Sequence, residues 1–418
     1  MTISAENNKK EGPEANPATY CKLRDIEHDF ADIAPYTDKE FRERLESLSR
    51  EPGFEYAVRY IMPHVNFEEF REELLGSRNQ QDFQTRIMGG FLLQLEADTT
   101  SGISFDGAEH LKDGTSYTYM SNHRDIVLDA SFLNLCLLRA NRPLSQVAIG
   151  NNLLVYQWIT DLVKLNRSFV VKRDVKRLEA LNAAKQLSAY IHYAINGMGE
   201  SVWIAQRQGR TKDSNDMTQE SLIKMLSIAG EGDITRCLRE INIMPVSISY
   251  EYDPNDYLKV REFILKRRDP EFKKCQRDDL LAMETGLMGF KGHIHFHFGP
   301  CIDDDLAAME IKPGEADSTV SREVTAHVCQ LVDRTIHLGY RFYPINYIAY
   351  DKAEGVTRFA DKYTDDDIAE FDKYAQGQLE KVQVENPTDE EKEFMRTAFL
   401  NMYANPVRNY LKAKNVNR

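Results

Sequence analysis

The sequence predicts an α/β fold in which a mixed, largely parallel central sheet is flanked by helices, with helical regions at both ends of the chain. Two observations predict it. Between about Gly102 and Gly299, apolar runs of strand length alternate with longer segments at helical spacing, as a parallel sheet with crossover helices requires. On either side of that stretch only the helical period persists.

Taken in order, residues 1–19 are polar and carry Pro, Gly and Asn, the composition of a disordered tail. Residues 20–100 form an N-terminal helical region. In it "DKEFRERLESLS" and "NFEEFREELLGS" place apolar residues at helical intervals, with Asp or Asn near each start. The α/β core spans 101–302. "ISFDGAEHL" and "TSYTYMSN" read as short strands, then "IVLDASFLNLCLLRA" as a helix and "SQVAIG" as a strand. "LLVYQWITDLVKL" is a helix, "SFVVKR" a strand and "RLEALNAAKQLSAYIHYAI" a long helix. "SVWIAQ", "IMPVSISYEY" and "HIHFHFG" complete the strands. Residues 303–418 are helical and acidic, and "TDDDIAEFDKYAQGQLEKV" and "TDEEKEFMRTAFLNMYANPVRNYLKA" each open on a Thr-Asp cap.

A net charge of −13 argues against nucleic acid as a partner, because phosphate backbones are bound through an excess of Lys and Arg. The six cysteines form no CxxC pair, which suits reduced thiols in a cytoplasmic protein. The opening "MTISAENNKKEG" has no apolar signal core, and the longest uncharged run, Pro143–Thr160, is too polar to span a bilayer. The expectation is a cytoplasmic protein. "FLLQL" and the amphipathic helices before residue 100 leave room for peripheral contact with the inner face of the membrane.

Three consecutive strand ends carry chemistry, and ligands in such sheets bind beyond the carboxyl ends of strands. "SNHRDIVLD" follows the strand "YTYMSN" and offers His123 with two carboxylates, Asp125 and Asp129. An imidazole oriented by a carboxylate is a general base for a hydroxyl; the alternative is a histidine that only satisfies backbone groups at a turn. Lys172 and Arg173 follow the apolar "SFVV", and Arg207, Gly209 and Arg210 follow "SVWI". Glycine lets a backbone approach a ligand, and arginine forks suit phosphate oxygens. Together these ends imply activation of a hydroxyl in an anionic, phosphorylated small molecule. Separately, His293, His295 and His297 share one face of a strand and make a metal-dependent hydrolase the competing reading. There is no GxSxG, no phosphate loop ending in Gly-Lys-Ser/Thr, and no HExxH.

In order along the chain, "NHRDIVLD", "RSFVVKR", "VWIAQRQGRTK", "IMPVSISYE" and "GHIHFHFGPCI" resemble the motifs of the glycerolipid acyltransferases, which acylate glycerol 3-phosphate and 1-acylglycerol 3-phosphate. The resemblance covers about residues 102–302 and implies a glycerol-3-phosphate acyltransferase-like sheet. It implies His123 as base with Asp129 as its partner, and Lys172, Arg173, Arg207, Gly209 and Arg210 around the acceptor phosphate. It further implies acyl-CoA or acyl carrier protein as donor, an oxyanion held by backbone N–H groups at the helix start, and neither cofactor nor metal. Two departures stand out. Five residues, not four, separate His123 from Asp129, so the extra one must lie in the turn, with Asp125 as helix cap, if Asp129 is to face His123. In the third motif, Gln206 or Gln208 stands where the family has glutamate. These departures keep open a third reading, a catalytically degenerate lipid-binding protein of the same fold.

Overall fold

The computed structural model describes residues 30–173, 176–230, 232–309 and 318–415, so the tail read at 1–19 and Cys21 lie outside the described residues. One seven-stranded sheet runs in the order β1-β7-β6-β2-β5-β3-β4. The strands are β1 (Gly102–Asp106), β2 (Thr118–Ser121), β3 (Gln146–Gly150), β4 (Ser168–Val171), β5 (Val202–Ala205), β6 (Ile243–Tyr250) and β7 (His293–Phe298). Five of them, β6-β2-β5-β3-β4, are mutually parallel. β7 runs antiparallel to β6 and parallel to β1, which makes the sheet mixed.

The side-chain period of two sorts each strand between two covered faces. Tyr119, Trp203, Met244 and Val246 join one core with Leu92 and Leu95 of helix α4 (Gly89–Thr99) and Phe132 and Leu135 of helix α5 (Leu128–Arg139). Met120, Val202, Ile204 and Ile243 join the other, with Leu187 and Ile191 of one long helix and Val328 and Val332 of another. Burying each such side chain contributes roughly 1.5–3 kcal/mol. Because both faces are covered, β6 is buried along its whole length.

The N-terminal helices α1 (Asp38–Leu48), α2 (Pro52–Ile61) and α3 (Phe67–Leu75) pack through Phe41, Phe54 and Phe67 onto Leu165 of α6 (Gln157–Leu165). The helices that cover the sheet's second face are α7 (Arg177–His192) and α10 (Ser318–Leu338). Two helices that the sequence pattern leaves unmarked, α8 (Asp256–Arg268) and α9 (Gln276–Met288), stand between β6 and β7 in the chain. Helices α11 (Pro344–Glu354), α12 (Asp365–Glu380) and α13 (Asp389–Asn415) close a fourth core around Val260 and Ile264 of α8. Thr364 caps α12 as its Thr-Asp opening predicts, in a reciprocal box with Asp367. Two boundaries move inward. The helix expected from Ile126 starts at Leu128, and the one expected from Leu153 starts at Gln157 after a short 3-10 turn.

Candidate active site

β2 ends at Ser121, and residues 122–127 turn into α5. The turn is clamped from the neighbouring strand. Asn122, fully buried, donates from Nδ2 to the Ile248 carbonyl at 2.9 Å and accepts from the Ile248 amide at 2.8 Å. His123 follows, with Nδ1 2.8 Å from Oδ2 of Asp129. That same oxygen accepts the Arg124 amide at 2.6 Å and the Asp125 amide at 3.0 Å, while Oδ1 accepts the Tyr250 hydroxyl at 3.0 Å. A group that takes three further donors binds as a carboxylate, so Nδ1 is the imidazole nitrogen that donates to it. Among the described residues nothing bonds Nε2. Trp203 packs edge-on to the ring at 5.5 Å.

Asp125 does something else. Its Oδ1 accepts the Val127 and Leu128 amides, each at 2.9 Å, which caps the turn into α5. Oδ2 accepts from Asn255 at 3.3 Å. Burial, and then the charge of Asp129, push the Asp125 carboxyl above its ordinary range. The extra residue of the spacing therefore lies in the turn, and Asp129, in the first turn of α5, reaches back to His123. The same bonds occupy part of the helix start expected to face an oxyanion. Its amides at 124, 125, 127 and 128 already serve the two aspartates.

The loop after β5 wraps toward this turn. The Gln206 amide bonds the Ser121 carbonyl at 2.8 Å, and the Thr211 amide bonds the His123 carbonyl at 3.0 Å. Between them Gly209 adopts φ +74°, a left-handed conformation that favours glycine. Gln206 is fully buried, and neither polar atom of its side chain has a partner among the described residues. The same holds for Arg207 Nε, Arg210 Nη1 and Thr211 Oγ1. Arg124 points inward and forks onto Asp216 at 2.6 and 3.3 Å, where Tyr340 also bonds. This buried group ties the loop and α10's far end to the His123 turn.

Lys172 and Arg173 follow β4, the edge strand beyond β3 and β5. Lys172 pairs with Asp32 and donates to Gln186 at 2.9 Å, so its ammonium faces away from the sheet's centre. Arg173 lies across the end of β3. A Cβ at Gly150 would stand 2.7 Å from its Nε, so the missing side chain is what admits the guanidinium there. The histidines of β7 have other partners. His295 takes Ser104 at 2.8 Å on Nδ1, His297 takes Asp106 at 2.5 Å, and His293 is exposed against Tyr343. Among the described residues no group of three or more His, Cys, Asp or Glu could hold a metal ion.

Sequence reasoning assigned no role to Tyr250 or Asp216. Tyr250 had one legible signal: it ends β6, parallel and adjacent to β2. Asp216 had none. Among the described residues no helix is long and apolar enough to cross a membrane.

No protein-family model and no curated protein matches the chain. Among solved structures it is similar to the crystal structure of the 1-acyl-sn-glycerophosphate (LPA) acyltransferase PlsC from Thermotoga maritima. The identity is 12% and the TM-score 0.34, over 70% of this chain and 96% of that one.

Proposed function

We propose that the chain is an O-acyltransferase that moves a fatty acyl group from acyl-CoA or acyl carrier protein to the hydroxyl of glycerol 3-phosphate or 1-acylglycerol 3-phosphate. The observation that carries the reading is the His123–Asp129 pair at the carboxyl edge of the sheet, with a cationic loop bonded to the same turn. His123 Nε2 takes the proton of the acceptor hydroxyl as its oxygen attacks the thioester carbonyl, and Asp129 holds the imidazolium that results. Collapse of the tetrahedral intermediate expels the thiolate, and His123 returns the proton to it. A positioned base of this kind contributes about 10²–10⁴-fold. The developing oxyanion falls to side-chain donors, for which Arg207 Nε and Thr211 Oγ1 are buried without partners among the described residues. Arg173 and Arg207 receive the acceptor phosphate, and Gly209 leaves the loop backbone open to it.

The test is release of free thiol from long-chain acyl-CoA by the purified chain, with each acceptor separately and with acyl carrier protein as the second donor. Acceptor-dependent release that disappears in His123→Ala is expected. Absence of release with every donor and acceptor overturns the reading.

A further inference from the structure

We propose that the cleft between residues 210–212, α8 and α9 seats the phosphopantetheine arm of the acyl donor, an inference that rests on the acyl-transfer reading above. The inner end of the cleft lies against the His123 turn. Arg210 precedes the residue whose amide bonds the His123 carbonyl, and Asn255 donates to Asp125, the cap of that turn. α8 follows β6, on one side of β2, whereas Arg173 lies toward β4 on the other side. Two substrates can thus approach His123 from opposite directions, with the acceptor phosphate on the β4 side.

The polar atoms of the cleft point to the ligand. Asn255 is fully buried, and its Nδ2 donates to Asp125 Oδ2 at 3.3 Å. Its Oδ1 is left as an acceptor without a partner among the described residues, and Arg210 Nη1 as a buried donor without one. An acceptor and a donor on the wall of one cleft complement an amide, and pantetheine carries two amides between its thiol and its phosphate. Further out the cleft turns cationic. Lys212 and Lys266 share the carboxylate of Glu262, Lys274 bonds Asp279 at 2.8 Å and stands 3.9 Å from Glu262, and Arg261 approaches Asp278 no closer than 3.8 Å. Burial, with Lys266, Lys274 and Arg210 nearby, holds the Lys212 ammonium down to about 7, a position that favours an incoming anion.

Distance separates this anion from the acceptor's. Glu262 lies seven residues beyond Asn255, about 10 Å along the helix. A phosphate bound there is remote from the reacting atom, as in a pantetheine thioester, and unlike the phosphate of a glycerol phosphate. Leu258, Leu265, Phe272 and Leu281 give the intervening wall an apolar surface for the arm's methylene and methyl groups.

Calorimetric titration of the full chain with coenzyme A, and in a second arm with phosphopantetheine-loaded acyl carrier protein, tests the assignment. The comparison is with Lys212→Ala/Lys274→Ala and, as a milder variant, Lys274→Glu. The double substitution is expected to weaken binding at least tenfold, and Lys274→Glu severalfold, with the acceptor KM unchanged. Weakening confined to the carrier-protein arm also supports the site and names the carrier as source. Unchanged affinity in both variants, or no binding of either donor to the wild-type chain, overturns it. If thiol release persists in those cases, the acyl-transfer reading survives. If binding weakens as expected while no donor–acceptor pair releases thiol, the site stands and that reading falls.

Discussion

Two aspartates four residues apart sit within reach of one turn, and their bonds divide the work between them. Asp125 holds amides of the turn; Asp129 holds amides and the imidazole. Substituting each by asparagine separates the roles. Asn caps a helix start about as well as Asp, so Asp125→Asn should cost under about 1 kcal/mol in a denaturant melt and keep activity within a few-fold, losing only the bond from Asn255. Asp129→Asn leaves the shape but removes the acceptor that fixes the Nδ1–H tautomer. Thiol release should then fall by about 10⁴-fold, the loss seen when a base's orienting carboxylate is neutralised. Equal losses in the two variants would mean that neither carboxylate is specific to His123. The spacing alone could not decide between them, because the choice depends on where the helix begins. Ile126 and Val127 belong to the apolar run yet lie in the turn, since the fully buried Asp125 draws the Val127 and Leu128 amides to itself before the helical ladder starts.

At the scale of elements, the edge of the sheet is a row of loops whose reach is set by what lies beneath them. Gly150, at the end of β3, has an ordinary φ of −71°, so alanine there carries no backbone strain. Its Cβ would nonetheless meet Arg173 Nε at 2.7 Å and Asn152 Oδ1 at 2.5 Å. Both are flexible ends that can move aside. Gly150→Ala should therefore keep the melting temperature within a few degrees while it displaces Arg173 from the end of β3. The expected kinetic signature is an acceptor KM raised about tenfold with kcat nearly unchanged, the pattern of lost uniform binding. A fall in kcat with KM constant would contradict an acceptor-holding role for Arg173. The seven strands are legible in the sequence because each is a short apolar run closed by a turn, and α12 and α13 because a Thr-Asp pair opens each. α8 and α9 are not. Their apolar residues do not form one stripe, since Val260 and Ile264 of α8 enter the C-terminal core while Leu258 and Leu265 line the cleft on its other side. α8 and α9, hidden from the pattern in this way, build most of that cleft.

At the scale of the whole molecule, a buried carboxylate adds a polar link to the apolar core that joins the C-terminal helices to α8. Asp256, at the start of α8, accepts Tyr374 of α12 at 2.7 Å and Tyr403 of α13 at 2.8 Å, and the Tyr403 hydroxyl accepts the Asp253 amide at 3.1 Å. Asp253 pairs with Lys259, whose ammonium reaches the Arg124 carbonyl at 3.2 Å beside His123. Burial, and next the charge of Asp253, raise the Asp256 carboxyl to about 7, against the lowering effect of the two tyrosines. A carboxyl raised on folding binds its proton more tightly in the native chain than in the unfolded one. The native state is thus penalised progressively as pH rises from about 4 to about 7, and by a constant amount above that. Asp333, raised to about 6 by burial, acts in the same direction, whereas the buried His192, His295 and His337, lowered by burial, act in the opposite one below their ordinary range. The wild-type profile mixes these contributions, so the difference between wild type and Asp256→Asn isolates one of them. Denaturant melts from pH 4 to pH 8 should show the variant gaining on wild type as pH rises, with the gain levelling off above pH 7. A difference that does not change with pH would mean that Asp256 is ionised throughout, held by its tyrosines against the cost of burial. The link from α12 and α13 to the His123 turn would then be a fixed charge rather than a proton-dependent one.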